Sequence, residues 1–242
     1  MSDNQYPSGL KRLLYAPPGS PDSPRPFLRD NVVRVFLAVM VISFIATWGL
    51  YTVGEATGSR ALSSLGQTLF VWGALDARFW HGEWWRVVTS MFLHAGFGHL
   101  IGNSLFMVPL MMLMRRWTKG VSWLGVFLVG GIAGGLLELA IHPDAQLVGA
   151  SGGIAGLWGA AMVVAWRLVK SGKQALLAIV VMFVLGYLLY QQIAGSIASA
   201  DAHIAHLAHL GGILSGALIG TRLPLRFGST GKSNGSSGGS GA

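Results

Sequence analysis

Leu147-Val148-Gly149-Ala150-Ser151-Gly152-Gly153-Ile154-Ala155-Gly156 is the stretch on which the fold turns, because it supports two incompatible readings. Gly149-Ala150-Ser151-Gly152-Gly153 matches the G-x-S-x-G elbow, in which a strand bends into a helix and presents a nucleophilic serine. That elbow needs a β-strand ahead of the serine, whereas the segments on either side here are apolar runs of helical length. What survives is a serine among glycines at the start of a helix. There, free backbone N–H groups and the positive end of the helix dipole can hold a developing oxyanion. In a membrane helix such a run also serves plain packing, so the serine gains a chemical reading only from what converges on it.

Working outward, the 242 residues are 52% apolar and only 11% charged, and the mean hydropathy is +0.55. Soluble domains carry about a quarter charged residues, so this composition belongs in a lipid bilayer. Spanning helices need roughly 20 mostly apolar residues, since no water is present to satisfy the backbone. Six runs qualify: 35–53, 87–114, 121–141, 147–164, 175–193 and 203–219. The expected fold is therefore an all-α membrane protein, a bundle of six transmembrane helices. Segment 1–30 is expected to be a flexible tail, 31–222 the membrane domain, and 223–242 a second flexible tail rich in Gly and Ser. The first run is too long for a signal peptide and lacks its small-residue cleavage site, so it is expected to stay as an anchor. The loop between the first two runs carries Phe70, Trp72, Phe79, Trp80, Trp84 and Trp85, which suits a loop partly submerged at the membrane interface.

The net charge of +8 reports topology. The basic residues fall in short groups between apolar runs, an arrangement that does not make a nucleic-acid surface. Fourteen of the seventeen Lys and Arg residues lie on one side of the six-span scheme, leaving Arg60, Arg78 and Arg86 on the other. Positive loops stay cytoplasmic, so both termini are expected there. No cysteine is present, which removes thiolate chemistry. Small residues recur at packing distance in Gly130/Gly134, Gly131/Gly135, Gly152/Gly156, Gly212/Gly216 and Gly216/Gly220, predicting close helix contacts.

With this topology the second, fourth and sixth runs begin on the outer face. Their unusual polar residues sit near that beginning: His94, His99 and Asn103, then Ser151, then His203, His206 and His209. Polar groups at membrane depth are costly and face a cavity or the bundle interior, so an aqueous cavity open to the outside is expected. Serine needs a neighbouring base, and histidine is the usual one near neutral pH. His209 is the candidate, because Gly212 and Gly216 follow on a face that can press against the start of the fourth run. His99 and Asn103, four apart, share a helix face and offer donors to an oxyanion. His94 and His206 are read as ordering the loop or bonding within the cavity. Glu138, late in the third run, is expected to make a local hydrogen bond near the outer rim.

In combination these residues resemble a rhomboid intramembrane serine protease, over the stretch from the first run to the sixth. The resemblance rests on Trp85-Arg86, on His94 and His99-x-x-x-Asn103, on Gly149-Ala150-Ser151-Gly152 with Gly156 and Gly159, and on Ala208-His209 before Gly212 and Gly216. It implies Ser151 as nucleophile and His209 as base in a dyad without an acid. His99, Asn103 and the Ser151 N–H would form the oxyanion hole, and no cofactor or metal is implied. Trp85, Arg86, His94, Gly149, Gly152, Gly212 and Gly216 would be structural or accessory. Some members stack an aromatic residue, four after the nucleophile, on the histidine; Ala155 stands there, so the histidine must be oriented from elsewhere. Asp201 lies about 12 Å along a helix from His209, too far for a triad acid. The implied reaction is hydrolysis of a peptide bond in or near the transmembrane segment of a membrane-protein substrate held in the bilayer. Substrates that unwind easily are expected, reaching the site laterally past the fifth run. The implied membrane is a bacterial inner membrane, with the site open to the periplasmic side.

Three other readings remain at this point. His203, His206 and His209, with His94 or His99, could ligate zinc in an intramembrane hydrolase, although no carboxylate sits in that cluster. A protein of the same fold could bind membrane helices without cleaving them. A small-solute transporter is the third, without the inverted repeat that such folds usually show.

Overall fold

A computed structural model describes residues 27–172 and 205–226, together with 179–181, 183, 184 and 187 between them. The α-helices whose bounds lie within the described residues are α1 (Asn31–Thr57), α2 (Leu65–Trp72), α3 (Arg86–Thr89), α4 (Phe97–Trp117), α5 (Ser122–Ile141), α6 (Ser151–Lys170) and α7 (His206–Gly220). Among the described residues there is no strand, only two isolated antiparallel bridges, Leu75 with Leu147 and Thr118 with Leu225. Among the described residues four helices, α1, α4, α5 and α6, are long and apolar enough to cross a membrane, and α7 is a shorter apolar helix. The expected fifth run, 175–193, lies largely outside the described residues, as do His203, Asp201 and the tails 1–26 and 227–242.

The expected second run needs correction. Segment 87–114 reads as one apolar stretch, but the chain forms α3, then a 3-10 turn at Ser90–Phe92, then an extended connection, and only then α4. Leu93 is extended, and Gly96 adopts φ 156° and ψ 171°, a conformation open in practice only to glycine. His94 therefore lies in the connection ahead of the helix, fully buried, rather than on a helix with His99. The sixth run is also displaced. α7 begins at His206 and not at His203, so His209 stands about 4.5 Å along the described helix.

Helix starts follow local chemistry. Asp30 caps α1 by accepting from Val32 N at 2.9 Å, and its other oxygen takes a hydrogen bond from Arg115 at 2.7 Å, tying the start of α1 to the end of α4. Ser64 caps α2 by accepting from Gln67 N. Between α1 and α4 the chain folds around the buried Arg86, which donates to the carbonyls of Phe70 and Ala74 and to Glu83. Asp76 lies beside it and pairs with Arg78 at 2.6 Å. Burial would raise the Asp76 pKa, but hydrogen bonds from Arg78 and the charges of Arg78 and Arg86 outweigh this and hold it below the usual carboxylate range. Trp72, Trp80, Trp84 and Trp85 remain exposed on this segment.

The glycine pattern dictates how α5, α6 and α7 meet. A Cβ built at Gly130 would lie 2.8 Å from Gly156 Cα, and one at Gly211 would lie 2.9 Å from Gly134 Cα. On α7, Cβ atoms at Gly212 and Gly216 would overlap the carbonyl oxygens of Gly152 and Gly156. Backbone packs on backbone throughout, the arrangement that small residues permit in lipid. Gly131 and Gly135 face the other way, against Met91 and Leu75, so the segment ahead of α4 lies on α5. At the far end of the bundle Arg167 donates to the carbonyls of Gly220 and Leu223, both at 2.8 Å. The chain stays packed to Arg226, whose backbone N–H donates to the Trp117 carbonyl.

Candidate active site

The expected site residues come from three elements that meet at one end of α6. Gly149 enters the helix with φ 115°, a conformation that disfavours any side chain, and its N–H donates to the Ser90 carbonyl at 2.8 Å. A two-bonded bridge between Leu75 and Leu147 holds the approach to this turn. Ser151 is the first helical residue of α6, and Ala150 before it provides no side-chain cap. The first N–H groups of α6 thus have no intrahelical partner and point out of the helix end beside the Ser151 hydroxyl.

α4 supplies the second wall. A Cβ at Gly149 would lie 2.7 Å from His99 Cε1 and Nε2 and 3.4 Å from Asn103 Nδ2, so both side chains abut the turn that leads to Ser151. Ala95 N–H donates to His99 Nδ1 at 3.4 Å, which makes Nδ1 the acceptor and leaves the proton on Nε2. The ring edge against Gly149 therefore carries a donor. Asn103 is buried, and among the described residues its Nδ2 has no hydrogen-bond partner. Buried donors left unpaired are rare and mark sites where another function is served. The His94 ring packs edge to face on His99, with centroids 5.1 Å apart, and fixes its plane.

α7 supplies the third wall. The Ala208 carbonyl lies 3.7 Å from where a Gly152 Cβ would be, so the first turn of α7 crosses α6 one residue below Ser151. His209 follows Ala208, and both His209 and Ser151 are half-buried. The Ser151 hydroxyl and the His209 ring make no hydrogen bond to each other. His206 is exposed. Gly152, Gly212 and Gly216 sit where α6 and α7 touch, and Arg86 organises the segment before α4. Trp85, beside it, is 45% exposed and contacts Trp84. Among the described residues no three His, Asp or Glu side chains gather into a metal-holding group, His203 lying outside them.

Sequence reasoning placed Glu138 in a local bond only. The local bond exists, to His142 Nδ1 at 2.6 Å, but the second carboxylate oxygen accepts from Ala208 N on α7 at 3.0 Å. The partner there is a backbone amide, which leaves no signature in sequence.

Residues 81–225 match the family model described as the Rhomboid domain. The chain is 30% identical over 148 residues to Rhomboid-related protein 1 of Caenorhabditis elegans, covering 57% of this chain and 40% of that protein. To Putative rhomboid protease YdcA of Bacillus subtilis it is 31% identical over 141 residues, covering 57% and 67% respectively. To Rhomboid protease GluP of the same organism it is 28% identical over 203 residues, covering 81% and 36%. The matched region thus spans less than half the length of the nematode protein and of GluP.

Proposed function

This chain belongs to the rhomboid family, and from that premise we propose that it is an intramembrane serine endopeptidase working through a Ser151–His209 dyad. The observation that carries the reading is the clustering, around Gly149 and the uncapped start of α6, of a His99 Nε2 donor and the unpaired Asn103 amide, with the first turn of α7 against Gly152. Oxyanion stabilisation needs donors aimed where charge will develop, and this end of α6 offers side-chain and backbone donors together.

In this reading His209 takes the Ser151 proton as Oγ attacks the scissile carbonyl carbon. The carbonyl oxygen becomes negative and is held by His99, Asn103 and the Ser151 N–H. The C–N bond then breaks, and the imidazolium returns its proton to the leaving amine. Water, deprotonated by His209, attacks the acyl-enzyme and releases the carboxylic acid and free Ser151. A helical substrate hides its scissile carbonyl, so substrates are transmembrane segments with small or helix-breaking residues near the cleaved bond.

The protein is an integral membrane protein with apolar helices of spanning length. The distribution of Lys and Arg supports cytoplasmic termini, with the Ser151 end on the opposite side, the periplasmic side of a bacterial inner membrane. The absence of a Ser151–His209 hydrogen bond favours, as second reading, a member of the fold that binds membrane helices without cleaving them.

Cleavage of a tagged single-pass membrane protein in liposomes tests this, with Ser151→Ala alongside and EDTA in a parallel wild-type reaction. Loss of cleavage in the variant with no effect of EDTA is expected. Cleavage stopped by EDTA would return the histidine cluster to a metal role, and capture of substrates without cleavage would establish the second reading.

A further inference from the structure

α7 begins without a side-chain cap, since Ala205 makes no such bond, yet its first turn carries the residue before His209. The donor that needs an acceptor there is Ala208 N–H, and it receives one from another helix: Glu138 Oε2, at 3.0 Å. Glu138 is 5% exposed and stands near the end of α5. Its other oxygen is held by His142 Nδ1 at 2.6 Å, so the carboxylate cannot swing away. The Ala208 carbonyl meanwhile lies against Gly134, also on α5, and near Gly152 on α6. Both backbone groups of Ala208 are thus fixed from outside α7. On α6 the side chain one turn after Ser151 is only the methyl of Ala155, too small to stack on an imidazole.

We infer that Glu138 is a positioning residue for the base: by gripping the Ala208 amide it caps α7 from α5 and sets the position of His209 over Ser151. The inference rests on the dyad reading above. A carboxylate at a helix start satisfies an orphan amide and opposes the positive end of the dipole, which an ordinary cap achieves from within the chain. Here the cap comes from the helix that already packs on both α6 and α7, so one side chain fixes the start of α7 within the contact that the glycines set between α6 and α7. Glu138→Gln keeps an acceptor for Ala208 N–H and replaces the bond from His142 by an amide N–H that Nδ1 accepts in its other tautomer, whereas Glu138→Met keeps the volume and loses both contacts.

The test compares wild type, Glu138→Gln and Glu138→Met in detergent, with Ser151→Ala as the inactive baseline. Three quantities are read: kcat and KM on a tagged membrane substrate, the rate of Ser151 labelling by a fluorophosphonate, and deuterium uptake of the peptide containing Ala208. Expected for Glu138→Met are a fall in kcat and in labelling rate of about tenfold or more, with KM little changed, and faster uptake at Ala208. Glu138→Gln should stay close to wild type in all three. Unchanged kcat in Glu138→Met would overturn the inference, as would an equal loss in both variants or a loss matching only the fraction unfolded. If wild type shows no Ser151-dependent cleavage, the dyad reading falls and the positioning role with it. Uptake at Ala208 then reports separately whether the cap itself exists.

Discussion

Gly216→Ala is the substitution whose cost can be worked most directly from the packing of α7 on α6. The new Cβ would stand 2.6 Å from Gly156 C and 2.8 Å from Gly156 Cα, and it would overlap the Gly156 carbonyl oxygen. Carbon atoms in contact prefer about 3.5 Å or more, so the two helices must part by at least roughly 0.9 Å, and the overlapped oxygen asks for more. The obstacle is backbone, which cannot turn aside as a side-chain tip would. Overpacking of this kind costs about 1–3 kcal/mol, set against a gain of up to about 1 kcal/mol from replacing a helical glycine. With rigid backbone as the obstacle the cost falls at the upper end of that range, and a net loss of about 2 kcal/mol is expected. Because α7 carries His209 and α6 carries Ser151, a shift approaching 1 Å also costs catalysis up to about a hundredfold. Gly125→Ala on α5, where a Cβ meets nothing within 4 Å, is the control and should be neutral or slightly stabilising. Unfolding in mixed micelles and cleavage of a membrane substrate would be measured for both. Wild-type stability and rate in Gly216→Ala would refute the claim that backbone contact sets the α6–α7 distance.

Two further outcomes follow from the site and its supports. Asn103→Ala should lower kcat by about a hundredfold or more while leaving the unfolding midpoint almost unchanged, because Nδ2 bonds to none of the described residues; undiminished turnover would remove Asn103 from the oxyanion hole. Asp76 has a folded pKa below its ordinary value of 3.8, so its contribution to stability is complete above that value and is lost as pH falls through the lower, folded one. Melting temperature followed from about pH 6 down to about pH 2 should therefore fall more steeply for wild type than for Asp76→Asn, and parallel slopes would contradict the sign.

Much of this architecture could be read from residue order alone, for identifiable reasons. Gly130, Gly134, Gly152, Gly156, Gly212 and Gly216 advertise helix contacts because lipid leaves close approach as the main driving force. Ser151, His99, Asn103 and His209 were conspicuous because polar groups are scarce in apolar runs. The boundary of α4 was not legible. Segment 87–93 is as apolar as a spanning helix, and it is apolar because Val87 and Met91 are buried against other protein, not lipid. Hydropathy does not distinguish those two solvents. Which of two adjacent glycines faces which helix was also hidden, since Gly130 meets α6 while Gly131 meets Met91. The reach of Glu138 to Ala208 was invisible for a third reason: backbone amides are the same at every position.

Arg167 and Glu138 together give α7 a single register. One end of the helix hands a donor to a carboxylate, and the other hands the Gly220 carbonyl to a guanidinium that also holds Leu223. Sliding α7 by one residue moves it about 1.5 Å and turns it by about 100°, which breaks both clamps at once and drives a side chain into the Gly152 or Gly156 carbonyl. The helix is indexed like a key with notches at both ends, so thermal motion can bend or loosen it but offers no neighbouring position in which it fits.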